Sequence, residues 1–368
     1  MTAATRTAGG GMAGTYDVIV LGAGPTGENV ADRAVRGGLT AAIAESELAG
    51  GECSYWACMP SKALLRPVGA VAEAAHVDGV AGARLEPGKV LARRDSFAHH
   101  WKDDSQVEWL KNAGIELVRG QARISGERRV QVGDAELAAV HAVVVCTGTK
   151  AAVPPVLAGV RPWTSREATS AHAVPRRLAI VGGGVVGCEM AVAWQALGAQ
   201  VTLVSPGRLL DRLPAFAGDL VAHGLRAAGV DVRLGAGVTA ASRPDEGGPV
   251  TITLDDGTTV EADEVLAATG RTPHTQDIGV ETIGLAPGSW LEVDDTMRVR
   301  AITGADGADR ADGGGWLYAA GDVNRLALLT HMGKYQGRIC GDAIAWHAVP
   351  SYPTMSEVWL RLLETYGL

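Results

Sequence analysis

Two cysteines in the segment 50–62 have the spacing of a redox centre. Cys53 and Cys58 lie five positions apart and are followed by Pro60-Ser61-Lys62. A regular α-helix holds Cα atoms at that spacing about 8–9 Å apart, whereas a disulfide needs them within about 4.4–6.8 Å. If the two are bonded, we expect an irregular backbone between them and a helix that begins near Cys58. The alternative is two buried thiols that pack as small hydrophobic groups.

A glycine-rich turn precedes the cysteines. The apolar strand predicted at Tyr16–Leu21 leads into Gly-Ala-Gly-Pro-Thr-Gly at 22–27, then a helix and a second strand that ends at Glu45. In such a unit the glycines allow close approach of a pyrophosphate and the acid binds a ribose hydroxyl. The predicted dinucleotide contacts are Gly22, Gly24, Gly27 and Glu45.

The same pattern recurs in the middle of the chain. A strand at Leu178–Val181 precedes the glycine turn 182–187, and another strand follows at Val201–Val204. The predicted contacts of this second site are Gly182, Gly184 and Gly187.

Position 205 of the second site is serine where the first site has an acid. Without a carboxylate at Ser205, a 2′-phosphate is not repelled, and Arg208 or Arg212 is placed to pair with it. We therefore expect NADPH as the nucleotide. NADH is the alternative if Ser205 only begins a turn.

Composition and charge exclude several function classes. The 368 residues are 47% hydrophobic, enough for two or three domains, and the formal charge of −8 argues against a nucleic-acid partner. No apolar run reaches the roughly 18 residues of a membrane span. The segment 1–14 has no hydrophobic signal region and is expected to be a disordered leader, which predicts a reducing, cytoplasmic setting. The three remaining cysteines, Cys146, Cys188 and Cys340, are expected in the core. No metal site is predicted.

The order of these motifs resembles the pyridine nucleotide–disulfide oxidoreductases of the glutathione reductase, dihydrolipoamide dehydrogenase and mercuric reductase group. The motifs that carry the resemblance are Gly22–Gly27 with Glu45, Cys-x4-Cys-x-Pro-Ser-Lys, Thr147-Gly148, Gly182–Gly187, Thr269-Gly270-Arg271 and Gly321-Asp322. The resemblance implies an α/β fold of two Rossmann-like domains, doubly wound parallel sheets, with the second domain inserted in the first. Residues 15–155 and 275–345 would bind FAD, 156–274 would bind NAD(P), and 346–368 would be a short remnant of an interface domain.

The resemblance also implies roles for single residues. Cys58 would lie against the flavin as the charge-transfer thiolate, and Cys53 would be the interchange thiol that attacks the substrate. Lys62 would approach the flavin with Glu189 as its ion-pair partner, unless Lys62 is a surface lysine and Glu189 an acid favoured by a helix dipole. Further cofactor contacts are implied at Gly51, Thr147, Gly148, Ser205, Arg208, Gly270, Arg271, Gly321 and Asp322.

The end of the chain departs from the family pattern. The family carries an interface domain before a closing motif, and here that motif follows residue 345 almost directly. Tyr352 stands where the motif has its acid–base histidine, and Glu357 remains as the acid of that pair. The family-type homodimer is therefore in doubt. The apolar stripe of a helix predicted at 357–366 would dock locally or support a weak oligomer.

The spacer between the cysteines differs as well. The family has small residues and an asparagine there, whereas this chain has Tyr55 and Trp56, which would line the acceptor pocket or pack under the flavin domain. The expected function is an FAD-dependent NAD(P)H oxidoreductase that reduces the Cys53–Cys58 disulfide and then a disulfide or another small acceptor. The alternatives are direct flavin reduction of a quinone, a metal ion or oxygen, and a truncated nucleotide-binding protein without turnover.

Overall fold

The computed structural model describes residues 14–245, 247–300, 302–303, 309–310 and 315–348. The predicted leader, apart from Gly14, and the predicted tail from residue 349, with Tyr352, Glu357 and the helix 357–366, lie outside the described residues. Backbone packing divides the chain into two compact units. The first takes the described parts of Met1–Gly51, Asp103–Thr149 and Pro273–Leu368, and the second takes Glu52–Lys102 and Lys150–Thr272.

The regular elements are numbered in chain order. The described helices are α1 (Pro25–Arg36), α2 (Gly51–Tyr55), α3 (Cys58–Ala74), α4 (Pro87–Phe97), α5 (Asp104–Asn112), α6 (Pro155–Ala158), α7 (Ser165–Ser170), α8 (Val185–Ala196), α9 (Ala215–Ala227) and α10 (Thr330–Ala348), with 3-10 turns at His99–Trp101, Val280–Ile283 and Asp322–Asn324. The described strands are β1 (Gly14–Leu21), β2 (Ala41–Glu45), β3 (Glu116–Arg119), β4 (Ala122–Gly126), β5 (Arg129–Val132), β6 (Ala135–Val145), β7 (Thr149–Ala151), β8 (Arg177–Val181), β9 (Gln200–Ser205), β10 (Asp231–Leu234), β11 (Val238–Ser242), β12 (Val250–Leu254), β13 (Thr259–Ala262), β14 (Glu264–Ala267), β15 (Arg271–Pro273), β16 (Ile302–Thr303), β17 (Asp309–Arg310) and β18 (Leu317–Ala319).

The first unit is built on a sheet whose strand order is β3-β2-β1-β6-β5-β4, with β18 also paired to β6. Strands β3, β2, β1, β6 and β18 are parallel, and the apolar strands at the centre are buried on both faces, as parallel sheets require. Strand β6 pairs with β1 along one edge, and along its other edge its first residues pair antiparallel with β5 and its last residues pair parallel with β18. The carboxyl ends of β1, β6 and β18 therefore meet at one edge.

Helices α1 and α10 of the first unit pack backbone to backbone. Gly333, Gly337 and Gly341 form one stripe of α10 at a spacing of four residues. A Cβ atom on Gly337 would lie 2.6 Å from the carbonyl oxygen of Thr26, and one on Gly341 would lie 2.6 Å from that of Val30. Any larger residue in this stripe would force the two helices apart.

The second unit contains a parallel sheet of order β10-β9-β8-β14 and a smaller antiparallel sheet of order β11-β12-β13. Its segment 150–272 lies between two segments of the first unit along the chain. The predicted fold class, two Rossmann-like α/β units with the second inserted in the first, is confirmed.

Helices α3 and α4 pack in the core of the second unit. Leu64 of α3 and Val90 of α4 share one buried cluster with Trp194 of α8. Arg94 of α4 has no exposed surface, and its guanidinium donates to the carbonyl oxygens of Thr169 at 2.6 Å and Ala171 at 3.0 Å. Residues 52–102 thus pack with the second unit. The predicted division by bound nucleotide stays a prediction.

Candidate active site

The cysteine segment interrupts a helix between Cys53 and Cys58. Helix α2 ends at Tyr55, Ala57 has non-helical angles of φ −133° and ψ −96°, and Cys58 is the first residue of the 17-residue helix α3. This is the irregular backbone, with a helix beginning at Cys58, that is expected if the two cysteines can bond. Both cysteines are half-buried. The amino-terminal end of a helix favours negative charge, so Cys58 occupies a position that stabilises a thiolate.

The bulky spacer packs within the second unit. Tyr55 has no exposed surface, and its hydroxyl lies 3.3 Å from the carbonyl oxygen of Lys102. The Tyr55 and Trp56 rings meet edge to face with centroids 5.7 Å apart. Tyr55 is therefore a buried residue of the second unit. That the spacer lines the acceptor pocket or packs under the flavin domain stays a prediction.

Helix α7 also contacts the cysteine segment. The Arg166 guanidinium lies 4.3 Å from the Trp56 ring centroid, and its Nε lies 2.5 Å from Oε1 of Glu52. The Thr169 hydroxyl lies 3.0 Å from the carbonyl oxygen of Trp56. The sequence does not indicate these contacts, because α7 carries no motif and lies more than one hundred residues further along the chain.

Lys62 and Glu189 form an ion pair. Lys62 lies on α3, one helical turn beyond Cys58. Its Nζ atom is 2.7 Å from both carboxylate oxygens of Glu189. The Lys62 side chain is 62% exposed and the Glu189 side chain 28% exposed. A pair this exposed contributes little to folding stability, at most about 1 kcal/mol. The catalytic role of the two residues stays a prediction.

The first glycine turn has room for a ligand at its middle glycine. Gly22 has φ +101°, which other residues rarely adopt, and a Cβ on Gly27 would collide with the carbonyl oxygen of Gly22. Gly24 differs, because a Cβ there would meet nothing within 4 Å. The fold itself therefore requires Gly22 and Gly27, whereas Gly24 leaves an open cradle at the N-terminus of α1, which suits a pyrophosphate.

Glu45 stands at the end of β2 beside this cradle. Its Oε2 accepts the amide of Ala23 at 2.8 Å and its Oε1 accepts the amide of Glu47 at 2.8 Å. The carboxylate keeps further lone pairs for a ribose hydroxyl. Gly51, also predicted as a contact, approaches the turn closely, since a Cβ there would lie 2.8 Å from the Cα of Gly24.

The remaining predicted contacts of the first unit lie at the ends of β6 and β18. The Thr147 hydroxyl is buried and has no hydrogen-bond partner among the described residues. Gly148 follows it with φ +66°. Asp322 Oδ2 lies 3.2 Å from the Thr149 hydroxyl. A buried hydroxyl that awaits a partner, next to an open glycine cradle, fits a site for FAD.

Buried Gln336 of α10 holds the Gly321-Asp322 turn. Its Oε1 accepts the amide of Gly321 at 2.7 Å and the Nδ2 of Asn324 at 2.9 Å. Gly321 itself has φ +85° and could not carry a side chain without moving Thr26. Gln336 carries no motif signal, so sequence analysis did not find this support.

Glu28, in the first turn of α1, is a partly desolvated carboxyl. Its Oε1 is buried without a hydrogen-bond partner in the described part of the chain. Burial raises the pKa of Glu28 to about 7, and the positive charge of Lys334 on α10 opposes the rise.

The second glycine turn repeats the geometry of the first. Gly182 has φ +123°, and a Cβ on Gly187 would collide with the Gly182 carbonyl oxygen. Gly184 again is open, since a Cβ there would meet nothing within 4 Å. Ser205 is buried beneath the turn, since a Cβ on Gly183 would lie 2.7 Å from its hydroxyl oxygen.

The two arginines after Ser205 have different surroundings. Nη2 of Arg208 donates to the carbonyl oxygens of Asp211 at 2.7 Å and Leu213 at 2.9 Å, so Arg208 shapes its own loop. Arg212 is exposed.

Gly270 and Arg271 follow strand β14 of the second unit. Gly270 has φ +129°. Arg271 is half-buried, and its Nη2 lies 3.9 Å from Oε2 of Glu52. Arg271 therefore lies beside the cysteine segment as well as after the Thr-Gly motif.

The other three cysteines are core residues, as predicted. All are buried, and burial raises the pKa of Cys146 to about 12 and that of Cys188 to about 11, while the pKa of Cys340 also lies well above its usual value. Thiols in this state are unreactive at neutral pH.

Two kinds of feature do not occur among the described residues. No helix there has the length and apolar character of a membrane span. No three histidine, cysteine or acidic side chains in that part of the chain are grouped to hold a metal ion.

Two glycine-turn nucleotide units and a broken helix with Cys-x4-Cys define a class of flavin-linked, nicotinamide-linked oxidoreductases. The chain belongs to the pyridine nucleotide-disulphide oxidoreductase family, whose model matches residues 16–337. Members of this family use FAD and a pyridine nucleotide.

Curated relatives align over most of the chain. Dihydrolipoyl dehydrogenase of Synechocystis sp. is 31% identical over 94% of this chain and 77% of that protein. Dihydrolipoyl dehydrogenase 3 of Pseudomonas aeruginosa is 35% identical over 92% of this chain and 73% of its own length. Glutathione reductase of Burkholderia cepacia is 31% identical over 89% of this chain and 71% of its own.

Solved structures agree on the fold. LpdA of Mycobacterium tuberculosis is 27% identical with a TM-score of 0.73, covering 91% of this chain and 72% of that one. The HOCl-induced flavoprotein disulfide reductase of Escherichia coli has a TM-score of 0.74, over 89% of this chain and 71% of that one, at 23% identity. The second likeness concerns the fold alone.

Proposed function

We propose that this protein takes electrons from NADPH and delivers them, through FAD and the Cys53–Cys58 pair, to a disulfide or another small acceptor. The observation that carries the proposal is the helix break, with Cys53 in α2 and Cys58 at the first position of α3. A continuous helix would hold the two sulfurs too far apart to bond. Homology to dihydrolipoyl dehydrogenases and a glutathione reductase supports the same chemistry.

We assign FAD to the first glycine turn and the nicotinamide nucleotide to the second. The open cradle at Gly24, the Glu45 carboxylate and the orphaned Thr147 hydroxyl support the first assignment. The matching cradle at Gly184 supports the second. In these terms residues 15–155 with 275–345 serve FAD and residues 156–274 serve NAD(P). Bound FAD would supply two-electron transfer between the nicotinamide and the cysteine pair.

The cysteines account for the acceptor half of the reaction. Two electrons and two protons open the Cys53–Cys58 bond to two thiols. The Cys53 thiolate then attacks an acceptor disulfide, forms a mixed disulfide and releases one acceptor thiol. The Cys58 thiolate attacks Cys53 in that mixed disulfide, restores the Cys53–Cys58 bond and releases the second acceptor thiol.

Lys62, positioned by Glu189, would place a positive charge close to the cysteine pair. The two-pronged contact with Glu189 fixes the ammonium of Lys62 one turn after Cys58. Glu357, which lies outside the described residues, would provide the acid–base function at Cys53 without the histidine that the family motif pairs with it.

The preference for NADPH rests on the loop after β9. Buried Ser205 leaves no carboxylate to repel a 2′-phosphate, and exposed Arg212 offers the countercharge, with Arg208 holding the loop.

An absorbance experiment tests the proposal. Purified protein should carry flavin, and anaerobic NADPH should bleach it and produce a long-wavelength band that Cys58→Ser abolishes. Cys53→Ser should lower NADPH-driven disulfide reduction at least about 100-fold. If Cys53→Ser leaves turnover with a quinone or oxygen as the main activity, the enzyme is a direct flavin reductase. Colourless protein that does not bind added FAD would refute both functions.

A further inference from the structure

We propose that Arg166 is a positioning residue for the cysteine pair: held by Trp56 and Glu52, it fixes the turn between α2 and α3 and balances the charge next to Cys53. The inference rests on the proposed role of Cys53 as the interchange thiol. This role would also explain the bulky residue at position 56, since the Trp56 ring packs against the Arg166 guanidinium.

One guanidinium spans the whole turn before the helix break. Glu52 and Trp56 are four residues apart, and the amide of Trp56 donates to the carbonyl oxygen of Glu52 at 2.8 Å. Arg166 contacts the side chains of both, with Nε 2.5 Å from the Glu52 carboxylate and the guanidinium 4.3 Å from the Trp56 ring centroid. A planar cation suits both contacts at once, because it can bond a carboxylate while it stacks on an aromatic face.

Helix α7 is fixed by contacts of its own, and these contacts restrain Arg166 beside Glu52 and Trp56. The Thr164 hydroxyl and the Glu167 carboxylate form a capping box at the start of α7. Buried Thr169, one turn later, places its hydroxyl 3.0 Å from the carbonyl oxygen of Trp56. Helix α7 therefore contacts both the side chain and the backbone of Trp56 in the cysteine segment.

The carboxylate next to Cys53 in the chain is paired with cations. Glu52 is the neighbour of Cys53 in the chain, and an unpaired carboxylate there would disfavour a thiolate. Arg166 pairs with it closely and Arg271 more distantly, with its Nη2 at 3.9 Å. Lys62 of α3 and Glu189 of α8 form a separate ion pair. Removal of the anion or of the cation should thus move the thiol reactivity in opposite directions.

Iodoacetamide alkylation of Cys53 in full-length, dithiothreitol-reduced Cys58→Ser protein tests this. We expect Arg166→Gln to slow alkylation about threefold at pH 7 and Glu52→Gln to accelerate it about threefold. Each lost charge would then change the pKa of the Cys53 thiol by about 0.5. The double variant should return close to the parent rate. Arg166→Lys, which keeps the charge, should restore most of the rate that Arg166→Gln loses.

A second ion pair of the same unit provides the control. Arg233 lies 2.9 Å from Asp231 on β10, and Arg233→Gln and Asp231→Asn should leave the alkylation rate of Cys53 unchanged. Alkylation of buried Cys340 reports any variant that unfolds.

Two results would overturn the inference: shifts of the same sign in Arg166→Gln and Glu52→Gln, or shifts no larger than those of the control pair. The assay needs neither nucleotide nor acceptor, so failure of NADPH-driven reduction would refute the proposed function without affecting this measurement.

Discussion

The open space at Gly24 allows cofactor binding to be separated from folding by a single methyl group. Gly24 has φ −75° and ψ 175°, angles that alanine adopts without strain. Alanine is a poorer N-cap than glycine by about 0.5–1 kcal/mol, but it lowers the entropy of the unfolded chain by about 0.4–1 kcal/mol. The two effects nearly cancel. Gly24→Ala should therefore change the free energy of unfolding of the FAD-free protein by less than about 1 kcal/mol.

The same methyl group would occupy the cradle that we assign to the FAD pyrophosphate. We expect the affinity of Gly24→Ala for FAD to fall at least about 100-fold, or about 2.7 kcal/mol. Gly27→Ala is the matched contrast, because its Cβ would collide with the carbonyl oxygen of Gly22. That variant should lose about 3 kcal/mol or more of folding stability even without FAD.

Urea unfolding of the stripped proteins and FAD titration by fluorescence quenching measure the two quantities. The reasoning is wrong if FAD-free Gly24→Ala unfolds as readily as Gly27→Ala, or if Gly24→Ala binds FAD like the parent. Gly184→Ala should reproduce the pattern in the second unit: normal FAD content and a raised KM for NADPH.

Three further predictions concern charged groups. Arg212→Gln should raise the KM for NADPH about tenfold and leave that for NADH unchanged in steady-state assays; equal effects on both would contradict the assigned phosphate contact. Because the pKa of Glu28 is raised from 4.5 to about 7, its ionisation increasingly destabilises the folded state as pH rises through that window. Glu28→Gln should accordingly add up to about 3 kcal/mol at pH 8 and little at pH 4.5 in denaturant titrations. Lys62→Gln should slow the NADPH half-reaction in stopped-flow absorbance while changing stability by no more than about 1 kcal/mol; a large loss of stability would instead indicate a structural role.

Features encoded by short stretches of sequence were predictable. The first glycine turn predicted a helix followed by a strand that ends at Glu45, and the structure has α1 at Pro25–Arg36 and β2 at Ala41–Glu45. The cysteine spacing indicated the break that the structure has at Ala57. Strand β6, Ala135–Val145, is long because its first residues pair antiparallel with β5 as well as parallel with β1, and no single short stretch of sequence shows both pairings.

Features that depend on distant partners were not predictable. Leu64 of α3 and Trp194 of α8 lie in one buried cluster, and no local sequence pattern joins them. Arg94 is fully buried, because backbone carbonyls about 75 positions away accept hydrogen bonds from its guanidinium and the carboxylate of Asp95 pairs with it at 2.7 Å. The contact of Arg166 with Trp56 likewise joins two stretches that carry no common pattern.

The glycine stripe of α10 has a consequence for how the chain matures. Helix α1, which carries the first glycine turn, completes its packing only when Gly337 and Gly341 lie against it, about three hundred residues later. During synthesis the amino-terminal strand and helix leave the ribosome long before that surface exists, whereas the segment 150–272 of the second unit is complete much earlier. We therefore expect the second unit to acquire its fold first and the cradle at Gly24 to form only after residues 337–341 have been released. Flavin capture is then a late, post-translational event, and nascent chains stalled before residue 341 should not retain FAD.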